Sequence, residues 1–231
     1  MIGIATSIAA LDTEFFAQQE HTVSAQAAGA VVEDSNGNIV CEDRHSHVSQ
    51  VTEAYRIIKG DDTDGKIDVA DYIKGGEIKA SGGKNYAVSA IRLETSNQSK
   101  PVVTLTFEEF FGDTSGQPTF TPPFGDVLAL KKAQAIGIIP AAGSSLQRCT
   151  AELTLGGLDR TDAPTGGSFV TTDLFQGRAT SEAELMACTG APTAAADTAN
   201  DWELEQNPSL EERPKEHQKS TVRVYTIVDP D

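Results

Sequence analysis

The sequence predicts a mainly β protein: an antiparallel β-sandwich or barrel with long loops and hairpins and one or two short helices. Three observations carry that expectation. Apolar residues recur at every second position along most of the chain, as they do in strands with one buried face. Clusters of Gly, Pro, Asn, Asp and Ser separate those runs, as hairpin turns would. A chain of 231 residues, 39% hydrophobic and 23% charged, can build one large core without disulfide staples.

The elements follow in chain order. Residues 1–20, opening MIGIATSIAALDTEFF, read as an N-terminal arm, because the stretch from Thr6 to Gln19 is apolar enough to bury yet too short to make a core. Residues 21–231 read as a single β-rich domain, with no internal repeat and no interdomain linker. Asn36-Gly37, between AGAVV and NIVCE, supplies the positive φ of a tight hairpin turn. Val51, Glu53, Tyr55 and Ile57 share one face of a strand. A hairpin is expected over residues 87–107: Ala87, Ser89, Ile91 and Leu93 alternate on one strand, Val103, Leu105 and Phe107 on the other, and TSNQSKP turns between them. FGDVLALKKAQAIGII is ambiguous, and its bracketing glycines favour strand over helix. QRCTAELTL alternates until Gly156-Gly157, and the β-branched GGSFVTTDLF follows. A short helix is expected near Thr180, Ser181, Glu182, Ala183, Glu184 and Leu185, where a hydroxyl residue before acidic positions fits an N-cap. STVRVYTIVD closes the chain as its clearest strand, with Val222, Val224, Thr226 and Val228 opposite Arg223, Tyr225 and Ile227. Its lack of guarding residues predicts an edge paired by another subunit. Loops over residues 60–71, 112–125, 158–167 and 189–201 are long for such a fold, and loops beyond ~12 residues are usually functional.

Charge narrows the function classes. With 18 Lys plus Arg against 34 Asp plus Glu, the formal charge is −16, which repels phosphate backbones and anionic membranes. Cys41, Cys149 and Cys188 are too few for a disulfide framework and point to a reducing compartment. The first residues lack the basic n-region of a signal peptide, and no apolar run approaches the ~20 residues of a membrane span.

Several motifs invite chemistry. Asp61-Asp62-Thr63-Asp64-Gly65-Lys66-Ile67-Asp68 resembles a calcium loop, with Asp62, Asp64, Asp68 and Asp71 as oxygen donors. Against that, Gly60 occupies the first ligand position and Gly75-Gly76 interrupts the exit helix, so the segment reads rather as a solvated acidic turn that folds without calcium. Cys41, His45 and His47 have strand-like ligand spacing, but no second ligand pair follows. Ser144-Ser145 after Gly143 is not a nucleophile elbow. The glycine pairs precede no Lys-Ser/Thr of a phosphate loop. Glu108-Glu109 and Glu211-Glu212 point to opposite faces of their strands, which is wrong for glycoside hydrolysis. No catalytic, cofactor-binding or metal-binding residue is assigned, and an enzyme is not expected.

The succession NYAVSAIRLETSNQSKPVVTLTFEEFFG, LQRCTAELTLGG, GGSFVTTDLFQGRATSEAEL and ERPKEHQKSTVRVYTIVD resembles the tail-tube-type virion proteins of tailed bacteriophages and prophage-derived particles. The resemblance spans residues 86–231 in the order and character of the strands. It implies a β-sandwich or barrel whose long hairpins and N-terminal arm join subunits into stacked rings. The implied partners are copies of the chain and other tail proteins, with no cofactor and no membrane. The implied location is a virion assembled in the host cytoplasm, with DNA as a repelled, non-specific passenger. Under that reading the excess carboxylate lines a channel. A tail terminator, a baseplate component or a calcium-dependent β-sandwich adhesion module are the alternatives.

Overall fold

The computed structural model describes residues 7–33, 39–156, 159–162, 169–173, 176–186, 192–195, 201–211 and 219–231. The chain is mainly β, with 59% of residues in strands and 2% helical. In order the strands are β1 (Phe16–Glu33), β2 (Ile39–Ile57), β3 (Lys66–Asp68), β4 (Ile78–Ser81), β5 (Lys84–Ser96), β6 (Val102–Phe110), β7 (Asp126–Leu128) and β8 (Ile138–Ile139). They continue with β9 (Ser145–Gly156), β10 (Asp159–Asp162), β11 (Phe169–Asp173), β12 (Gln176–Met186), β13 (Thr193–Ala194), β14 (Glu203–Glu211) and β15 (Lys219–Val228).

Nine of them form one antiparallel sheet in the order β1-β2-β6-β5-β9-β12-β15-β14, with β4 pairing the start of β5 beside β9, and β3-β7, β8-β13 and β10-β11 pair as two-stranded sheets. A single cross-strand row shows why this order holds. His21 lies opposite Glu53, then Leu105, Ile91, Leu153, Ala179 and Thr226 follow on successive strands. From Glu53 to Thr226 every member is buried, so each strand's alternation puts its apolar set on one common face. Ile67, Val69, Ile73, Phe120, Phe124, Val127 and Ile136 cover that face from β3, β7 and the intervening loops, in a sandwich-like arrangement around one core. Gly75 is part of this cover: a Cβ there would sit 3.1 Å from Leu153 and 3.3 Å from Leu155.

The expected hairpin over residues 87–107 is β5 and β6, with Ile91 opposite Leu105 and Leu93 opposite Val103. The expected hairpin at Asn36-Gly37 has its strands in β1 and β2, while the turn itself lies outside the described residues. This hairpin outruns the sheet. β2 pairs with β6 only from Gln50 to Arg56, yet β1 and β2 stay paired out to Glu33 and Ile39, a two-stranded ribbon of roughly 30 Å.

Three expectations need correction. The segment from Thr180 to Leu185 is not a helix but the middle of β12. Gly177, Ala179, Ser181, Ala183 and Leu185 point inward and Glu182 outward, a period of two that overrides the cap-like Thr180. The helical content of the described residues is a single 3-10 turn, Val69–Asp71, capped by Asp68. FGDVLALKKAQAIGII is neither a long strand nor a helix. It contributes only β7 and β8, and Thr95 on β5 and Asn97 just after that strand bind the backbone of Gln134 and Ala133 between them. The closing strand is not an edge: β15 is flanked by β12 and β14, and β1 and β14 are the ends of the sheet.

The arm expected over residues 1–20 also takes a specific form. From Ser7 onward it folds onto this chain, with Ile8, Ala9 and Leu11 buried, and β1 already begins at Phe16. Removing residues 1–19 would therefore strip Ile8, Leu11 and Phe16 from the core of the same chain.

Candidate functional site

Two side-chain constellations stand out, one on each face of the sheet. The first is centred on Glu53. β2 alternates Val51, Glu53, Tyr55 and Ile57 inward, and this puts a carboxylate with no solvent exposure among apolar neighbours. An isolated buried carboxylate is costly, so its oxygens must be bonded. Oε1 accepts the Ile8 amide at 2.7 Å and the His21 Nδ1–H at 2.9 Å. Oε2 accepts the Ala9 amide at 3.1 Å, the Ser7 hydroxyl at 3.1 Å and the Tyr55 hydroxyl at 2.6 Å. Ser7 Oγ also touches the Tyr55 hydroxyl and accepts the Ala10 amide, which steadies a turn where Ala10 has φ 48°. Burial alone would raise the Glu53 pKa. The bonds from Tyr55, Ile8, Ala9 and His21 outweigh it and hold the carboxyl below its ordinary value. Burial and the bond to Glu53 push the Tyr55 hydroxyl upward.

The cluster holds a serine, a histidine and a glutamate but does not assemble a nucleophile. Ser7 donates to the Glu53 carboxylate and touches Tyr55, not the imidazole, so the serine–histidine–carboxylate order of a triad is not formed. The histidine's other nitrogen, Nε2, is buried without a partner among the described residues. What the geometry does is fasten the N-terminal segment to β2.

The second constellation covers the outward face of β5, β9, β12, β15 and β14, where residues between the buried ones alternate in charge. Arg223 on β15 donates to Glu182 on β12 from Nη2 at 2.6 Å and Nε at 3.1 Å, and its Nε lies 3.7 Å from Glu205 on β14. Arg178 donates to Glu205 at 2.9 Å while its guanidinium lies 4.9 Å from the centre of the Tyr225 ring. Tyr225 donates to Glu203, and Arg148 donates to Glu94 at 2.6 Å. Arg148, Arg178, Glu182, Glu205 and Arg223 line, together with Arg92, Thr150, Glu152 and Thr154, a polar concavity of about 530 Å³. The Glu182 bond raises the Arg223 pKa, and the Glu203 bond raises that of Tyr225. Glu94, Glu182, Glu203 and Glu205 each meet an arginine or a hydroxyl, which makes this face a lattice of charged pairs.

The calcium-like loop spends its carboxylates internally. Asp62 accepts the Lys66 amide at 2.6 Å, Asp61 the Tyr72 hydroxyl at 3.0 Å and Asp68 the Ala70 amide at 2.9 Å, while Asp64 lies 3.8 Å from the Lys66 ammonium. Gly65 takes φ 76°, and Gly60 packs so closely on it that a Cβ at Gly60 would lie 2.1 Å from the Gly65 carbonyl carbon. Asp71 ends the 3-10 turn. No three acidic, His or Cys side chains converge on a metal position among the described residues. Cys41, His45 and His47 lie on β2 opposite Val32, Ala28 and Ala27, with a bulge between the two histidines' partners; their side chains fall outside the described set. Cys149 is buried against Ser181, and burial raises its thiol pKa. Among the described residues no helix is long and apolar enough to cross a membrane.

Sequence reasoning placed Glu53 on the correct face but gave it no role, because its partners at Ser7, Ile8 and Ala9 lie more than forty residues away. The lattice was half visible, in the outward Arg223 and Tyr225. A comparison of the chain with protein-family models and with curated protein sequences finds no match.

Proposed function

We propose that this chain is a non-enzymatic structural subunit of a tail-tube-like assembly. In this reading copies join into rings, the rings stack, and the resulting tube passes DNA as a non-specific passenger. One observation carries the reading: the ribbon formed by β1 and β2 extends past the sheet with no third strand beside it among the described residues. A two-stranded ribbon is marginal on its own in water. One this long is worth building where a neighbouring molecule covers it.

The ends of the sheet support the same reading. β14 is guarded, with Pro208 and two register shifts in a short acidic strand. β1 is 18 residues long and carries neither Pro nor Lys. Head-to-tail contact through unlike edges gives closed rings when the rotation closes. In such a tube the outward ion-pair lattice would present both charge signs in alternation, and the excess carboxylate would be carried elsewhere, on the loops.

Shortening the ribbon tests this reading. Replacing residues 24–49 by a two-residue turn should leave the sheet folded and the protein monomeric by sedimentation velocity, while the full chain sediments as a ring or larger. A shortened protein that assembles like the full chain would overturn it.

A further inference from the structure

Residues 7–11 reach the sheet through one polar anchor. The amides of Ile8 and Ala9 have Glu53 as their acceptor, and the Ser7 hydroxyl bonds the same carboxylate and Tyr55. Beyond it, Asp12 ends the segment in a tight turn that accepts the Phe15 and Phe16 amides and, through its side chain, the Glu14 amide. This turn separates the segment from β1, which begins at Phe16. The remaining hold is apolar, from Ile8, Ala9 and Leu11.

We propose that residues 7–11 are a releasable strap, latched by the Glu53 carboxylate, and that proton uptake by Glu53 undocks the strap and frees its buried Ile8, Ala9 and Leu11. The groups facing this carboxylate are few. β1 offers His21, β2 offers Tyr55, the strap offers only amides and the Ser7 hydroxyl, and β6 places the apolar Leu105 directly opposite. Among the described residues no Lys or Arg forms an ion pair with it.

In acid a neutral carboxyl loses the charge that strengthens the Ile8 and Ala9 bonds. The bonds that hold Glu53 below its ordinary value also fix the direction of the effect. The latch is intact at neutral pH and lost as pH falls through the depressed value.

Amide hydrogen exchange on the full chain, measured from neutral pH into acid and corrected for intrinsic rates, tests the strap without reference to any assembly. The protection of Ile8 and Ala9 should fall at least about tenfold once Glu53 is protonated. Ala151, Leu153 and Ala183 in β9 and β12 should keep theirs. Glu53→Gln should show the low protection already at neutral pH and without pH dependence. Tyr55→Phe removes one donor to the anion, so its release should move to higher pH; this variant decides the matter if Glu53→Gln does not fold. Ile8 and Ala9 staying protected until the whole sheet opens would overturn the proposal. So would full protection in Glu53→Gln, or an unchanged release pH in Tyr55→Phe.

Discussion

Glu53 and Glu182 are glutamates on strands of the same sheet, facing opposite sides of it. Glu53 has no solvent exposure and five hydrogen-bond donors drawn from the N-terminal segment, β1 and β2. The Glu182 side chain is 46% exposed and meets one arginine that is itself 50% exposed. The same functional group therefore does different work. Inside, bonding it is obligatory, and it determines where a distant segment lies. Outside, water and salt compete for it, and the pair sets local register more than stability.

The comparison can be broken most directly at Glu53. Glu53→Ala leaves the Ile8 and Ala9 amides and the Tyr55 hydroxyl without their acceptor in a dry site, and should cost about 3–5 kcal/mol in chemical denaturation. A cost near that of a surface change would show that the clasp is wet. Next in the same row is Leu105, fully buried and directly opposite Glu53. Leu105→Ala should cost about 2–5 kcal/mol through the cavity it leaves. Unlike the loss at Glu53, this cost should not change with pH.

On the outer face, a double-mutant cycle on Glu182→Ala and Arg223→Ala should return a coupling of only about 0.2–1 kcal/mol, shrinking in high salt. A larger, salt-insensitive coupling would mean the lattice is covered in the folded protein. The smallest effect is expected at Asp68. Burial, then the nearby Asp71, Asp126 and Asp61, raise its pKa, although its bond to the Ala70 amide works the other way. A raised carboxyl opposes folding at pH above its folded value. Asp68→Asn keeps the cap and removes the charge, so it should stabilise the protein by up to about 0.5 kcal/mol at neutral pH, with the gain vanishing in acid.

The two faces also differ in how far they could be read from sequence. Alternation is local, so the inward sets of β2, β5, β6, β9 and β15 were legible, Glu53 among them. Strand neighbours are not local. Nothing near Arg223 announces that Glu182 lies beside it, since β12 and β15 are joined by register alone. For the same reason STVRVYTIVD looked like an open edge: its apolar alternation reports a good strand and says nothing about how many strands flank it. Thr180 shows a local signal that misleads. Its hydroxyl and the following acids resemble a helix start, but Glu182 meets the cross-strand Arg223. The Glu53 clasp was illegible because a glutamate at an inward position reads as an interruption until its partners from residues 7–9 are brought to it.

The self-assembling subunit is the claim on which the functional reading stands, and negative-stain imaging of the purified full chain at high concentration tests it most directly. Rings of uniform diameter, or tubes built by stacking them, are the expected result. A field of isolated particles of monomer size, unchanged by concentration and free of rings, would contradict it.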